Sequence, residues 1–182
     1  MKRKLFTFLV AFLATLSGAV WGQETTIDLS HPQSGTGVSV SGTTITINQA
    51  GDYVITGSTT EYQVLIGSTS GTGTVNVTLS DATIELSKSL TYPIRIVENN
   101  KLGVNLTIKG ENVVSTTGGQ AGITVPYGSS MTISGTGILN TSGHCGIGNA
   151  NNSIASGICG NITISSGTVV ANGSAWCIGG VQ

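Results

Sequence analysis

The chain has 182 residues, a formal net charge of −1 and only 8% charged side chains. Three of its seven Lys and Arg lie at the extreme N-terminus, which leaves four basic side chains against eight carboxylates in the rest of the chain. This sparse, mildly acidic surface argues against nucleic acid as a partner, because a nucleic-acid site needs clustered Lys and Arg to neutralise phosphates.

The N-terminus has the pattern of an export signal. Lys2, Arg3 and Lys4 precede an apolar stretch over residues 5–16, and small residues follow it. A basic start, a short apolar stretch and small residues are typical of a secretory signal peptide, and the stretch is too short to span a bilayer. We therefore expect a signal peptide over residues 1–22, no membrane span, and a secreted or cell-surface location.

A short strand-like run recurs at intervals of about thirty residues, which is the period of a solenoid. Its copies centre on Thr46, Thr78, Thr107, Thr132 and Thr163. Each unit contains three short runs in which apolar and polar residues alternate, as in strands with one buried face. The sequence therefore predicts an all-β, right-handed single-stranded parallel β-helix of about five coils of three short strands.

Aligning the threonines predicts one inward column of apolar residues, formed by Ile47, Leu79, Ile108, Ile133 and Ile164. We expect an N-terminal cap over residues 23–41 and the β-helix over residues 42–182. The last run stops after the third strand of a unit without a polar cap, so we expect an uncapped end that takes further coils or a partner chain.

Two stretches resemble known families. Residues 50–57, with 63–66 and 77–84, resemble the secreted bacterial carbohydrate-binding β-helix family. That resemblance implies a pectate-lyase-like fold, binding of plant cell-wall polysaccharides, and calcium. Residues 134–148 and 176–180 are similar to the Gly-Ile-Gly-Gly repeats of large bacterial surface proteins.

Aromatic residues recur in the third strand of the repeat. Tyr62, Tyr92 and Trp176 each stand two residues before an apolar residue of that strand, so they are predicted to share a column. Sugar rings stack on aromatic faces, and an aligned column would suit a polysaccharide; the alternative is that the rings fill corners of the coil. Tyr127 in a turn and Arg95, an outward cation that could contact a uronate carboxylate, complete the predicted binding residues.

An outward polar ladder offers a second candidate face. It is predicted to contain Asn76, Asn105, Ser130 and Asn161. These groups could bind sugar hydroxyls, or they could satisfy one another on a solvated strand face.

Three carboxylates are predicted to lie near one turn, between the first and second strands: Asp52, Asp81 and Glu111. Calcium takes six to eight oxygen ligands, and side chains on adjacent coils lie close enough to share an ion. Turn carboxylates also commonly accept backbone N–H groups, so calcium and a structural role both remain open.

Cys145, Cys159 and Cys177 are compatible with one disulfide and one free thiol, in a pairing that the sequence does not fix. The chain shows no cluster of carboxylates of the kind that polysaccharide hydrolases and lyases use, and no nucleophile arrangement. We therefore expect a non-catalytic, exported carbohydrate-binding β-helix that recognises a polysaccharide along a strand face. The alternative is a structural or adhesive solenoid segment of a larger bacterial surface protein, with no ligand of its own.

Overall fold

The computed structural model describes residues 24–89, 91–149 and 158–179, so the predicted export signal lies outside the described residues. Fourteen strands run through them, and none of these residues forms a helix capable of crossing a membrane. The strands are β1 Thr25–Asp28, β2 Val38–Ser41, β3 Thr44–Ile47, β4 Gly51–Thr59, β5 Gln63–Ile66, β6 Thr74–Leu86, β7 Ile94–Ile96, β8 Gly103–Lys109, β9 Glu111–Thr116, β10 Ala121–Thr124, β11 Ser130–Gly135, β12 Ile138–Gly148, β13 Asn161–Ile164 and β14 Thr168–Gly179.

Parallel pairing stacks these strands in three columns. The first column contains β1, the first halves of β4 and β6, and then β8, β11 and β13. The second contains the later parts of β4 and β6, β9, and the first parts of β12 and β14. The third contains β3, β5, β7, β10 and the ends of β12 and β14. The prediction of an all-β parallel solenoid of about five turns is confirmed.

Strict alternation of side chains builds the core. In β6, Val75, Val77 and Leu79 are buried while Asn76 is exposed, because successive side chains of a strand point to opposite faces. The core is mostly Val, Ile and Leu, whose stacked rows fill the space between the columns. Val and Ile are stiff at χ1 and fit a pleated surface well, which favours this architecture.

The predicted alignment of the threonine-centred runs is right for Thr78, Thr107, Thr132 and Thr163, which share the first column, and wrong for Thr46. The strand β3 (Thr44–Ile47) lies in the third column, where it pairs with β5. The position beside β6 that the sequence predicted for β3 is occupied by β4. Ile47 therefore stacks on Ile66 and not on Leu79. The three columns share the same alternation, so similarity between short runs could not assign a run to its column.

The predicted first-strand register also fails between the third and fourth coils. Ile133 pairs with Leu106, and Ile108 pairs with Gly135. A slip of two residues keeps every side chain on its own face, so the burial pattern carries no signal of it. From Ile133 to Ile164 the predicted register is confirmed.

A buried asparagine ties three coils together at the corner between the first and second columns. Asn112 is fully buried; its side-chain oxygen accepts from the N–H of Ala82 at 2.9 Å. Its amide nitrogen donates to the carbonyl of Lys109 at 2.9 Å and to that of Ile138 at 3.2 Å. One side chain thus satisfies backbone groups of three successive coils, in a place that water does not reach.

Small residues line the corner between the second and third columns. Ala121 and Cys145 are buried and stacked on each other. A Cβ at Gly143 would lie 2.4 Å from the carbonyl oxygen of Gln120 and 3.0 Å from the nitrogen of Gly122. The backbones of adjacent coils therefore approach too closely at this corner for any residue larger than glycine.

The three cysteines are unbridged thiols with different surroundings. Cys145 is buried, Cys159 is half-buried and Cys177 is exposed. Burial raises the pKa of the Cys145 thiol to about 11, and the Cys159 thiol shifts it in the same direction. Burial also raises the pKa of Cys159. Since the thiolate is the reactive form and a reagent must reach it, we expect reactivity to fall from Cys177 through Cys159 to Cys145.

Replacing Gly143 with alanine is expected to destabilise the fold by about 1–3 kcal/mol, because the new methyl group forces the backbones of two coils apart. Urea denaturation measures the change. The matched control is Gly35→Ala, since a Cβ at Gly35 meets nothing within 4 Å. Equal stability of the two variants would contradict the close backbone approach.

The Asn112→Leu variant is expected to lose about 2–3 kcal/mol of unfolding free energy, because an isosteric apolar side chain leaves buried backbone groups without partners. Asn140 is exposed, so the same substitution there serves as the control and should change stability by no more than about 0.5 kcal/mol. Thermal unfolding of both variants checks this; an unchanged midpoint for Asn112→Leu would refute the bridging role.

Alkylation of the native protein at pH 8 is expected to modify Cys177 first and to spare Cys145 until denaturant is added. At that pH a thiol with a pKa near 11 is about one part in a thousand thiolate, and burial further blocks the reagent. Peptide mass mapping over time gives the order. Modification of Cys145 as fast as Cys177 would show that the corner opens in solution.

Candidate functional site

The outward side of the third column carries a small open cavity. It has a volume of about 180 Å³ and crosses three successive coils, from β3 through β5 to β7. We call this surface the Tyr92 face; its outward side chains are Thr44, Gln63, Leu65, Tyr92 and Arg95. Adjacent strands lie about 4.8 Å apart, so the face extends roughly 10 Å along the solenoid axis.

A stacked pair forms one wall of the Tyr92 face. The Arg95 guanidinium carbon lies 4.5 Å from the centre of the Tyr92 ring, within range of a cation–π interaction. Arg95 also forms an ion pair with Glu98 at 2.6 Å; their side chains are 29% and 61% exposed. Arg95 is thus held in place on two sides, while its buried Nε has no hydrogen-bond partner in the described residues.

Gln63 fixes the opposite wall. Its amide nitrogen donates to the Thr44 hydroxyl at 2.8 Å, and its amide oxygen accepts from the backbone N–H of Tyr92 at 3.3 Å. This bridge connects three coils and orients the amide before any ligand arrives. Leu65, partly exposed between them, supplies an apolar floor. Polar groups around an apolar floor suit a ligand with C–H faces and hydroxyl edges.

The Tyr92 face closes on the side of the later coils. Thr124 is the register partner of Arg95 in the next coil, and it is buried. Its hydroxyl has no hydrogen-bond partner in the part of the chain that the structure describes. The open surface therefore ends at β7 and does not run the whole length of the solenoid.

The predicted aromatic column is only partly realised as a surface. The register that it assumed is confirmed, because Val64, Ile94, Ile123, Ile147 and Ile178 stack in order. Tyr62 packs against the core, as the corner-filling alternative proposed, whereas Tyr92 lines the open cavity. Trp176 pairs through its backbone with Cys145, and its side chain lies outside the described residues.

Tyr127 occupies a different part of the surface. Its side chain is 72% exposed in the turn after β10, three residues beyond Thr124. It borders a shallow cavity of about 370 Å³ whose other walls include Ser130 and Asn161. The structure thus separates Tyr127 from the Tyr92 face and leaves its ring free to contact a ligand.

The predicted polar ladder is hydrogen-bonded within itself at Asn76 and Asn105. Asn76 donates to Asp52 at 2.8 Å, and Asn105 donates to Asn76 at 2.9 Å. Ser130 pairs with Asn161 as predicted, but the partner of Asn105 in that coil is Thr132, so the four residues do not form one ladder. On the first-column face the side chains of Asp52, Asn76 and Asn105 therefore bond to one another.

The three predicted metal ligands do not converge. Asp52 pairs with Asn76 at the start of the first column, whereas Asp81 lies beyond the end of that column's strand in β6. Asp81 and Glu111 do meet, since the Asp81 carboxylate accepts the backbone N–H of Glu111 at 3.0 Å. Among the described residues, no three His, Cys, Asp or Glu side chains are grouped as metal ligands.

A larger cavity lies at the N-terminal end but presents less suitable chemistry. Its volume is about 540 Å³, and Glu24, Gln49 and Asp52 line it. Tyr53 also borders it, but this residue is buried and its hydroxyl donates to the carbonyl of Gln49 at 3.0 Å. Burial, followed by the charge of Asp52, raises the pKa of Tyr53. Among the residues that the structure describes, the cavity thus has carboxylates but no open aromatic face.

The sequence interpretation missed Thr44, Gln63 and Leu65. Thr44–Ile47 was assigned to the first column, so Thr44 was not expected beside Gln63. Counting outward positions along the third column from Arg95 would have found Leu65, its register partner. The place of Gln63 on this face can be inferred only once the strands have been assigned to their columns.

A family model described as carbohydrate-binding domain-containing protein matches residues 41–180. Searches of curated proteins and of solved structures found no significant match. The matched segment contains every residue of the Tyr92 face and Tyr127. The chain therefore belongs to the family of carbohydrate-binding domain-containing proteins.

Proposed function

We propose that this protein is exported and binds a polysaccharide on the Tyr92 face, with Tyr127 as a second contact. Family membership gives it a carbohydrate-binding role. The observation that carries the proposed site is the Tyr92–Arg95 stack beside an open cavity whose polar walls are already oriented. Preorganised polar groups bind with less loss of side-chain entropy than mobile ones.

The chemistry of the face supports a sugar ligand. One side of the Tyr92 ring is covered by Arg95, so a sugar would use the rest of the ring and the Leu65 floor for its C–H face. The Arg95 N–H groups and the Gln63 amide would meet its hydroxyl edge. A neutral chain and a uronate chain both fit this description, and a carboxylate would compete with Glu98 for Arg95.

The predicted signal over residues 1–22 supports export, since a protein that binds an extracellular polymer has to reach it. The proposal includes the resemblance of the sequence to pectate-lyase-like proteins and to Gly-Ile-Gly-Gly repeat proteins. It is consistent with a bacterial surface location, and with glycines such as Gly143 and Gly146 at corners where coil backbones meet closely.

We assign the face a binding role and not a catalytic one. Family membership indicates a binding function. Hydrolysis of glycosides generally requires two carboxyl groups on opposite sides of the scissile bond. The carboxylate bound to Arg95 on the Tyr92 face is that of Glu98. Asp81 and Glu111 are neighbours of each other, but they lie at another corner of the coil, away from the Tyr92 face.

Calcium is a weaker part of the proposal. Of the predicted ligands only Asp81 and Glu111 are neighbours, and one Asp81 oxygen already accepts a backbone N–H. Two exposed carboxylates supply fewer oxygens than the six to eight that calcium takes, so this donor set fits the ion poorly. The proposed sugar contacts do not pass through a metal.

The scaffold alternative is supported by two observations. Tyr62 packs against the core, and Asn76 and Asn105 bond within the first-column face, so parts of the surface that could bind sugar serve the fold instead. A solenoid segment with no ligand of its own would show the same features.

The chain, expressed with its leader and purified from the culture medium, is expected to be retained on insoluble cellulose or on a pectin-type gel. The Tyr92→Ala variant should bind about two- to twelvefold more weakly, because one aromatic contact contributes about 0.5–1.5 kcal/mol. Depletion isotherms measure the affinity, and repeating them with a chelator tests calcium. Recovery from the medium, with the N-terminus found by mass spectrometry, tests export.

Asn105→Ala is the matched control, since it removes an exposed polar side chain from the first-column face. Circular dichroism should show both variants folded. If Asn105→Ala weakens binding and Tyr92→Ala does not, the ligand binds the first-column face and the proposed site is wrong. A folded protein retained on none of the polysaccharides would support the scaffold alternative.

A further inference from the structure

The turn that follows β10 presents an aromatic side chain on a backbone of defined geometry. The N–H of Ser129 donates to the carbonyl of Pro126 at 3.1 Å, which closes a four-residue turn over residues 126–129. Gly128, the third residue of this turn, has a φ of +78°, as a type II turn requires at that position. Tyr127 is the second residue, so its exposed ring stands on a hydrogen-bonded turn.

The next coil anchors this turn. The N–H of Gly160 donates to the carbonyl of Val125 at 3.0 Å, and the N–H of Asn161 donates to the carbonyl of Ser129 at 2.9 Å. A Cβ at Gly160 would lie 2.3 Å from the carbonyl oxygen of Ser129 and 2.5 Å from that of Pro126. The two segments are therefore in close backbone contact and form one wall.

The cavity beside Tyr127 is lined by uncharged polar groups. Its volume of about 370 Å³ lies within the roughly 300–1,000 Å³ of typical small-ligand sites. After Glu111 the sequence contains no Asp, Glu, Lys or Arg. Among the described residues, a ligand in this cavity would therefore meet an aromatic ring, hydroxyls and an amide without a charged group. The side chains that line it, besides that of Tyr127, are those of Ser129, Ser130, Cys159 and Asn161.

The Ser129 side chain gives an independent indication of a ligand. Ser129 is 5% exposed, and its buried hydroxyl has no hydrogen-bond partner among the described residues. A buried hydroxyl without a partner costs free energy, so native structures generally satisfy such groups. Ser129 lines the cavity, and rotation about χ1 lets its hydroxyl donate or accept there. A ligand hydroxyl at this wall would supply the partner.

We propose that this turn is a second carbohydrate subsite, separate from the Tyr92 face, and that it takes a neutral sugar residue. We call it the Tyr127 subsite; it consists of Tyr127, Ser129, Ser130 and Asn161. The C–H face of the sugar stacks on the tyrosine ring, and its hydroxyls bond to the serine hydroxyls and the amide. A uronate is disfavoured, because its carboxylate would lose hydration without meeting a cation. This inference rests on the proposed function, since it assigns a second place to the same class of ligand.

The two sites are separated along the strand direction. Ile94 and Ile123 are register partners. Tyr92 lies two residues before the first and Tyr127 four residues after the second, so the tyrosines are six positions apart. At about 3.3 Å per residue this separation is up to about 20 Å, with one coil of about 4.8 Å across it. A short oligosaccharide therefore occupies one site at a time, whereas a polymer lying obliquely on the surface would meet both.

Two-dimensional ¹H–¹⁵N NMR of the full chain tests the subsite with soluble trisaccharides. The neutral probes are cellotriose, xylotriose and mannotriose, and the acidic probe is trigalacturonate. At least one neutral probe is expected to shift the backbone amides of Gly128, Ser129 and Asn161, whereas trigalacturonate should leave them in place. Tyr127→Ala should weaken the binding that these amides report by about two- to twelvefold.

Ser129→Ala provides a second variant with two readouts. It should weaken binding at the subsite by about two- to tenfold, because a hydrogen bond to the sugar is lost. It should not lower the thermal unfolding midpoint, since the hydroxyl that it removes has no partner among the described residues. A serine with only a structural role would show the opposite pattern. Ser39→Ala is the matched control, because Ser39 is exposed on β2; it should change neither quantity.

Tyr92→Ala separates the subsite from the Tyr92 face, because the amides of the Tyr127 subsite should titrate in it as in the unmodified chain. Shifts at Gln63 and Arg95 without shifts at the subsite would overturn this inference and leave the Tyr92 face standing. Shifts at the subsite alone would support the inference and count against the Tyr92 face. The inference is also wrong if no neutral probe shifts the subsite amides, if trigalacturonate shifts them equally, or if Tyr127→Ala binds like the unmodified chain.

Discussion

The structure depends on the parallel stacking of each coil on the one before it. Between the first and last described coils, a strand in any column pairs its backbone with the strand one coil earlier and with the strand one coil later. An inward side chain therefore contacts equivalent side chains above and below, and most of these side chains are apolar. The rows of Val, Ile and Leu that fill the interior follow directly from this repetition.

The same constraint determines what kind of site the chain can form. Residues that meet on the surface are about one coil apart in sequence, as Thr44, Gln63 and Tyr92 are. Such a site is a shallow strip across strands, with walls fixed by contacts between coils. It suits a long ligand that lies on the surface better than a small molecule that needs enclosure.

Stacking also explains the two kinds of corner and the two ends. Where a turn leaves backbone groups inside, Asn112 satisfies them across three coils; where the turns are tight, Gly143 and Cys145 keep the backbones close. In the described residues, Leu29 and Val38 are buried in the first coil, whereas Ile164 and Ile178 are exposed in the last one.

The sequence by itself determined the all-β solenoid, its number of turns, the common column of the later threonine-centred runs and the stacking order around Ile94, because repeat length and alternation are local properties of the chain. It also pointed to Tyr92 and Arg95. Only the tertiary structure decided that Thr44–Ile47 belongs to the third column and that Ile133 stacks on Leu106. A shift by a whole strand or by two residues preserves alternation, so turn geometry and packing between coils had to choose. That choice brings Thr44 and Gln63 beside Tyr92 and separates Asp52 from Asp81, since residues distant in sequence become neighbours only through the register of the stack.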